Sequence, residues 1–209
     1  MSRADERVSR ALDAVPRELF LPSHLRSQAP RDAPLPIGHG QTNSQPFTVA
    51  SMLTLLDVQP GQRVLDLGAG SGWTTALLAH LVGTGGTVIG VERVPELIGP
   101  ARRALAAALE EAAAGPDGAA GPDGAAEPVE ARIQAAQPGV LGAPQLAPFD
   151  RILVSAEAPT LPDTLIEQLA EGGVMVIPVG TTMLRVTRHG QDHEITEHGA
   201  FRFVPLIED

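Results

Sequence analysis

The sequence predicts an α/β fold: a doubly wound, mostly parallel sheet with helices on both faces and antiparallel strands near the C-terminus. Three observations carry this expectation. The apolar run Val64-Leu65-Asp66-Leu67 ends in Gly68, Gly70 and Gly72, and a helical pattern follows at once through Leu77, Leu78, Leu81 and Val82. That order reads as a buried strand, a tight turn and a helix packed back on the strand. A second apolar run, Thr87-Val88-Ile89-Gly90-Val91, ends in Glu92, 20 positions after Gly72. The tail from Leu184 to Phe203 alternates around Gly190 and Gly199, as antiparallel edge strands do. Glycines in the first turn accept positive φ and let a ligand approach the backbone. The turn would lie at the carboxyl end of its strand, where open α/β sheets bind ligands.

The elements follow in order. Val8, Leu12 and Val15 recur at helical spacing, which predicts a helix over residues 3–15, ended by Pro16. Pro16, Pro22, Pro30, Pro34 and Pro36 then crowd a segment predicted to lack regular structure. A long ordered loop of this kind is usually functional. Val49–Leu56 reads as a helix with Pro46 in its first turn, where proline is tolerated. Pro95 opens a helix predicted to run to about residue 112. Ala113-Ala114-Gly115-Pro116-Asp117-Gly118 is then repeated as Ala119-Ala120-Gly121-Pro122-Asp123-Gly124. Such a duplication lacks the apolar residues to offset ordering entropy and predicts a flexible surface loop. Asp117 and Asp123 as metal ligands is the weaker reading, since neither oxygen has a fixed partner. Val129–Ile133, Ile152–Val154 and Val174–Ile177 read as strands. Pro162–Leu169 reads as a helix stopped by Gly172-Gly173.

Composition narrows the function. The length fits one domain, and 43% hydrophobic residues supply a core. A net charge of −10 argues against nucleic acid or an anionic membrane as partner. There is no cysteine, hence no disulfide frame and no thiolate metal site. His189, His193 and His198 match no zinc spacing and read as a polar hairpin face; no metal is expected. The charged N-terminus lacks the apolar core of a signal peptide. No apolar run reaches the roughly 18 residues of a membrane span. A soluble, cytoplasmic monomer is expected.

Trp73 stands where a dinucleotide fingerprint needs glycine, and no Gly-Lys-Ser/Thr ending marks a P-loop. The remaining pattern, Asp66-x-Gly68-x-Gly70-x-Gly72, resembles the first motif of S-adenosylmethionine-dependent methyltransferases. Glu92 has the offset of an acid that accepts from ribose hydroxyls. Further segments, in order, resemble protein-L-isoaspartate O-methyltransferases. They are Val15–Phe20, Pro34–Thr42, the glycine motif through Glu92-Arg93, Ala147–Ile152, Gly172-Gly173, Ile177–Gly180 and Phe201–Leu206. Together they cover most of the chain apart from residues 113–135.

The resemblance implies a carboxyl methyltransferase that uses S-adenosyl-L-methionine on isoaspartyl residues of damaged proteins or peptides. It implies one domain over residues 1–209. Residues 1–47 would carry the N-terminal helix and active-site loop. Residues 48–209 would form the cofactor-binding core, with a flexible insert at 113–128. Ser44, in Thr42-Asn43-Ser44-Gln45-Pro46, matches the family's active-site serine; its bland reading is a helix cap. Asp66, Gly68, Ala69, Gly70, Gly72, Glu92, Thr42 and Gln45 are the implied cofactor contacts. His39, Gln41 and Val179 are the implied substrate contacts, though a surface histidine is an equal reading for His39. Asp66 would also serve as a strand-end cap, and both of its readings need it ionised.

Three positions depart from the family: Asn43 where an aliphatic residue is usual, Ala135 where an acid contacts adenine, and Glu157. Gln134 or Gln137 would have to substitute for that acid. The departures also suit two alternatives: a carboxyl methyltransferase dedicated to one peptide aspartate, or a degenerate cofactor-binding protein without turnover.

Overall fold

A computed structural model describes residues 2–114 and 128–207. Residues 115–127, most of the duplicated insert with Asp117 and Asp123, lie outside the described residues. Helix α1 (Arg3–Ala14) opens on a reciprocal capping box, in which the Ser2 hydroxyl accepts from the Asp5 N–H at 3.2 Å and the Asp5 carboxylate from the Ser2 N–H at 2.7 Å. Helix α2 (Pro46–Leu56) follows with proline at its first position. Strand β3 (Arg63–Leu67), α3 (Trp73–Val82), β4 (Thr87–Glu92) and α4 (Pro95–Ala114) form the predicted alternation. Next come β5 (Glu130–Ala135), β6 (Phe149–Val154), α5 (Asp163–Ile166), β7 (Leu169–Val179), β8 (Thr182–His189) and β9 (Asp192–Ala200).

The proline-rich segment is more regular than its composition predicts. It forms 3₁₀ turns at Arg17–Phe20 and Ser23–Gln28, then a small hairpin, β1 (Leu35–Gly38) with β2 (Gln41–Asn43). Pro16 and Pro22 each stand just before a 3₁₀ turn, where no N–H is needed. Pro36 lies on a two-stranded ribbon, which leaves an edge free of ladder bonds.

The main sheet has the order β5-β4-β3-β6-β7-β8-β9. The strands from β5 to β7 are parallel, and β7, β8 and β9 pair antiparallel. Parallel strands covered on both faces read as near-continuous apolar runs. Val64, Val88 and Leu153 therefore face one buried cluster with α1, α2, α3 and α4, while Leu65, Ile89 and Ile152 face the other with α5.

The predicted helix 162–169 shrinks to one turn, α5. The carbonyl of Gln168 is taken by the Phe149 N–H at 2.8 Å, which draws the chain into the sheet at Leu169. Gly172-Gly173 then lie within β7 rather than before it. The partner of Phe149 is Leu169 and that of Arg151 is Val174, so residues between them bulge. Gly172 has φ +69°, and a Cβ at Gly173 would meet the Ala170 carbonyl at 2.8 Å. Glycine is required at both.

Candidate active site

The winding of the sheet reverses between β3 and β6, and a crevice opens at their carboxyl ends. A cavity of about 420 Å³ lies there, with walls from residues 41–45, 67–71, 91–93, 136–138, 140–141 and 202–207. That size suits a small-molecule ligand.

The glycine turn forms one wall. Gly70 and Gly72 have φ of +54° and +90°. A Cβ at Gly72 would meet the Ala101 carbonyl at 3.2 Å, so this glycine lets α3 start against α4. Glu92, 4% exposed, holds the turn in place. One carboxylate oxygen accepts from the Gly70 N–H at 2.7 Å and the other from the Val94 N–H at 2.7 Å. A carboxylate has about four acceptor sites, so Glu92 keeps capacity for ligand hydroxyls.

Residues 41–45 form a second wall. Ser44 is half-buried and faces the cavity. It does not cap α2. The cap position is Gln45, and the Phe47 N–H is taken by Asp32 at 2.9 Å from a distant loop. Asp32 also accepts from the Gln45 amide at 2.9 Å. The helix end is thus served without the Ser44 hydroxyl.

Arg17, 5% exposed, anchors this wall. It donates to the carbonyls of Asn43 and Ser44 at 3.0 and 2.8 Å and to the Asn43 side-chain oxygen at 2.6 Å. It also binds the carbonyls of Ala29, Arg31 and Ala33, and lies 5.4 Å from the centre of the Trp73 ring. The C-terminal residues complete the enclosure. The Glu157 N–H donates to Val204 at 2.8 Å and the Leu206 N–H to Glu157 at 2.7 Å.

Asp66 lies beneath the site, fully buried and outside the cavity lining. One oxygen accepts from the hydroxyls of Thr74 and Thr75 at 2.8 and 2.6 Å; the other has no protein partner among the described residues. Burial pushes the carboxyl up to about 6, against those two hydroxyls, and the Glu92 charge adds to the rise. The backbone cap read from the sequence is thus replaced by two threonine hydroxyls, and ionisation has a cost.

That cost predicts a pH dependence. Between the ordinary value of 3.8 and about 6 the folded state holds the Asp66 proton and the unfolded state releases it. The Asp66 contribution to stability is therefore highest below pH 4, falls as pH rises to about 6, and is flat above. The full fall amounts to about 3 kcal/mol. Asp66→Asn keeps an acceptor for the threonines and removes the titration. Urea titrations of both proteins from pH 4 to 7 should show the stability difference shifting toward the variant as pH rises. A difference independent of pH would contradict this.

Residues 2–209 match the sequence pattern of the protein-L-isoaspartate(D-aspartate) O-methyltransferase family. The chain belongs to this family. A protein-L-isoaspartate O-methyltransferase of Methanothrix thermoacetophila is 44% identical over 204 residues, covering 97% of this chain and 88% of the relative. One of Aeropyrum pernix is 47% identical over 207 residues, covering 96% of this chain and 72% of the relative. The solved structure of a Plasmodium falciparum member, in complex with S-adenosyl-L-homocysteine, superposes with a TM-score of 0.79 at 25% identity. It covers 98% of this chain and 91% of that one.

Within this methyltransferase fold the cavity brings together Gln41, Thr42, Ser44, Gln45, Gly68, Ala69, Gly70 and Glu92. Gly72 stands just behind, as the cap of α3. His39 and Val179 are not brought to the cavity. His39 is exposed at the tip of the β1–β2 hairpin with φ +53°, and Val179 ends β7, bridged to Ala158. The alternatives left for adenine separate as well: Ala136 and Gln137 line the cavity, whereas Ala135 and Gln134 lie on β5 outside it. The sequence reading missed Arg17, Ser71, Thr74 and Arg202. The motif Val15–Phe20 pointed at the first, but no local pattern assigns its side chain to a loop 26 residues away. Among the described residues no three of His, Asp and Glu gather as a metal site.

Proposed function

We propose that the chain transfers a methyl group from S-adenosylmethionine to the free carboxylate of L-isoaspartyl residues, the opening step in repair of damaged proteins. The observation that carries this reading is the Ser44 hydroxyl, set in the wall of the same cavity as the glycine turn and released from helix capping by Asp32. The cavity suits a nucleoside: Glu92 has acceptor capacity for ribose hydroxyls and Gln137 offers a carboxamide to an adenine edge. Bound there, S-adenosylmethionine supplies a methyl group on a positively charged sulfur.

The residues then have three tasks. The acceptor carboxylate has an unperturbed pKa near roughly 4 and is ionised at neutral pH. No general base is needed, and among the described residues no histidine lines the cavity. Ser44 would donate to one carboxylate oxygen and so aim the other, which is a positioning role. Arg202 on the C-terminal wall would balance the acceptor charge. The C-terminal strap across Glu157 would limit water. The substrate would be an exposed isoaspartyl segment, with neither nucleic acid nor membrane as partner, consistent with the charge of −10. No helix among the described residues is long and apolar enough to cross a membrane. We read the enzyme as a cytoplasmic monomer.

Transfer of labelled methyl from S-adenosylmethionine to an isoaspartyl peptide and to its aspartyl twin tests the reading. Labelling of the isoaspartyl peptide alone is expected; equal labelling of the twin, or none of either, overturns it. A companion measurement addresses adenine. Gln137→Ala should weaken S-adenosylhomocysteine by about tenfold, the effect of one lost hydrogen bond. The inosine analogue should be much less affected. Equal losses by calorimetry for both ligands would remove Gln137 from adenine recognition.

A further inference from the structure

The resemblance implies an aliphatic residue at position 43, and the structure gives the Asn43 amide a use. It is 4% exposed, and both ends of its amide are engaged. The oxygen accepts from Arg17 Nε at 2.6 Å, and the nitrogen donates to the Ser71 hydroxyl at 3.0 Å. Arg17 in turn grips the carbonyls of residues 43 and 44, so the chain of bonds ends on the backbone of Ser44. At its other end Ser71 belongs to the glycine turn and lines the cavity. Trp73 begins α3 just after the turn and lies over the same guanidinium, with its indole N–H on the Val15 carbonyl at 3.1 Å. An aliphatic side chain at position 43 would fill the space and make neither bond.

We propose that the Arg17–Asn43–Ser71 relay couples the two halves of the cavity, so that a nucleoside ligand on the glycine turn presets Ser44 for the peptide carboxylate. The proposal rests on the methyl-transfer reading above. Asn43 is here a positioning residue: it lies in the cavity wall with both ends of its amide taken, and it acts through Ser71 and Ser44. Because coupling is reciprocal, each ligand tightens the other by the same factor. A sheet-borne turn and a loop held by one guanidinium are separate pieces of backbone. The amide is a direct polar link between them, and a buried amide left half-paired is costly, which makes the link stiff.

The test is calorimetric titration of an isoaspartyl peptide into the full chain, with and without saturating S-adenosylhomocysteine. In the parent protein the homocysteine product should tighten the peptide by about tenfold. In Asn43→Leu, close in volume, and in Ser71→Ala, the ratio should fall toward one while each ligand alone still binds. The double variant should lose no more than either single one. Ser71→Ala leaves Arg17 fully paired, so it reports even where Asn43→Leu folds poorly. In steady-state assays the single variants should lose kcat, with the KM for S-adenosylmethionine little changed at low peptide and raised at saturating peptide, where the lost coupling is felt. Coupling that persists in Ser71→Ala, or is absent in the parent while both ligands bind, overturns the relay and leaves the methyl-transfer reading standing. A parent that binds the homocysteine product but never the peptide overturns both.

Discussion

Ser44→Ala should lower methyl transfer to an isoaspartyl peptide by about 100-fold while S-adenosylhomocysteine affinity stays within a few-fold. The magnitude is that of one preorganised donor removed from a water-poor site. The split between rate and affinity follows from geometry. The glycine turn and Glu92 would hold the nucleoside, and neither depends on the Ser44 side chain. The Ser44 carbonyl accepts from Arg17 at 2.8 Å, and alanine preserves that bond. Helix α2 should be unaffected, because Asp32 and not Ser44 serves its first turn. Single-turnover kinetics, calorimetry and a melting curve on the same preparation check the three statements. A variant with wild-type turnover would remove the hydroxyl from the reaction. One with wild-type turnover and a lowered Tm would return Ser44 to a structural role.

Arg17→Met should cost about 3–5 kcal/mol of stability, a large share of a typical domain's total of roughly 5–15 kcal/mol. The guanidinium serves the carbonyls of Ala29, Arg31, Ala33, Asn43 and Ser44. Methionine matches much of its bulk and leaves those acceptors without a donor, at roughly 1–3 kcal/mol for each that stays buried and dry. Some will reach water, so the total falls below the sum. Arg17→Lys keeps the charge, but a single ammonium cannot span a fan of five carbonyls, so lysine should recover only part of the loss. Burial lowers the arginine pKa and Asp32 raises it, and a guanidinium stays charged through neutral pH regardless. Urea unfolding of the three proteins reads the order directly. A methionine variant with the parent's midpoint would mean that the 29–44 segment is held by its apolar contacts and not by this hub.

Much of this was legible in the residues. The apolar runs at 64–67 and 87–91, the glycines at 68, 70 and 72 and the acid at 92 determined strand, turn, helix and strand. Backbone dihedrals and burial period are local properties: a glycine at φ +90° or a strand buried on both faces leaves its mark where it stands. The same locality explains the errors. Pro162–Leu169 has helical composition, yet α5 stops after one turn because Phe149 claims the Gln168 carbonyl. Ser44 precedes a helix, and of its two readings the bland one, a helix cap, is displaced because Asp32 occupies that role from the preceding loop. Asp66 reads as a cofactor contact or a backbone cap, ionised in either case, yet threonine hydroxyls bind it and burial resists its charge. Gln134 and Gln137 are equal in sequence, and only the end of β5 puts one outside the cavity and the other in its wall. What the tertiary structure alone decided is the pairing of polar groups. A donor takes whichever acceptor the packed chain brings within about 3 Å, and the sequence lists the candidates without saying which of them will meet.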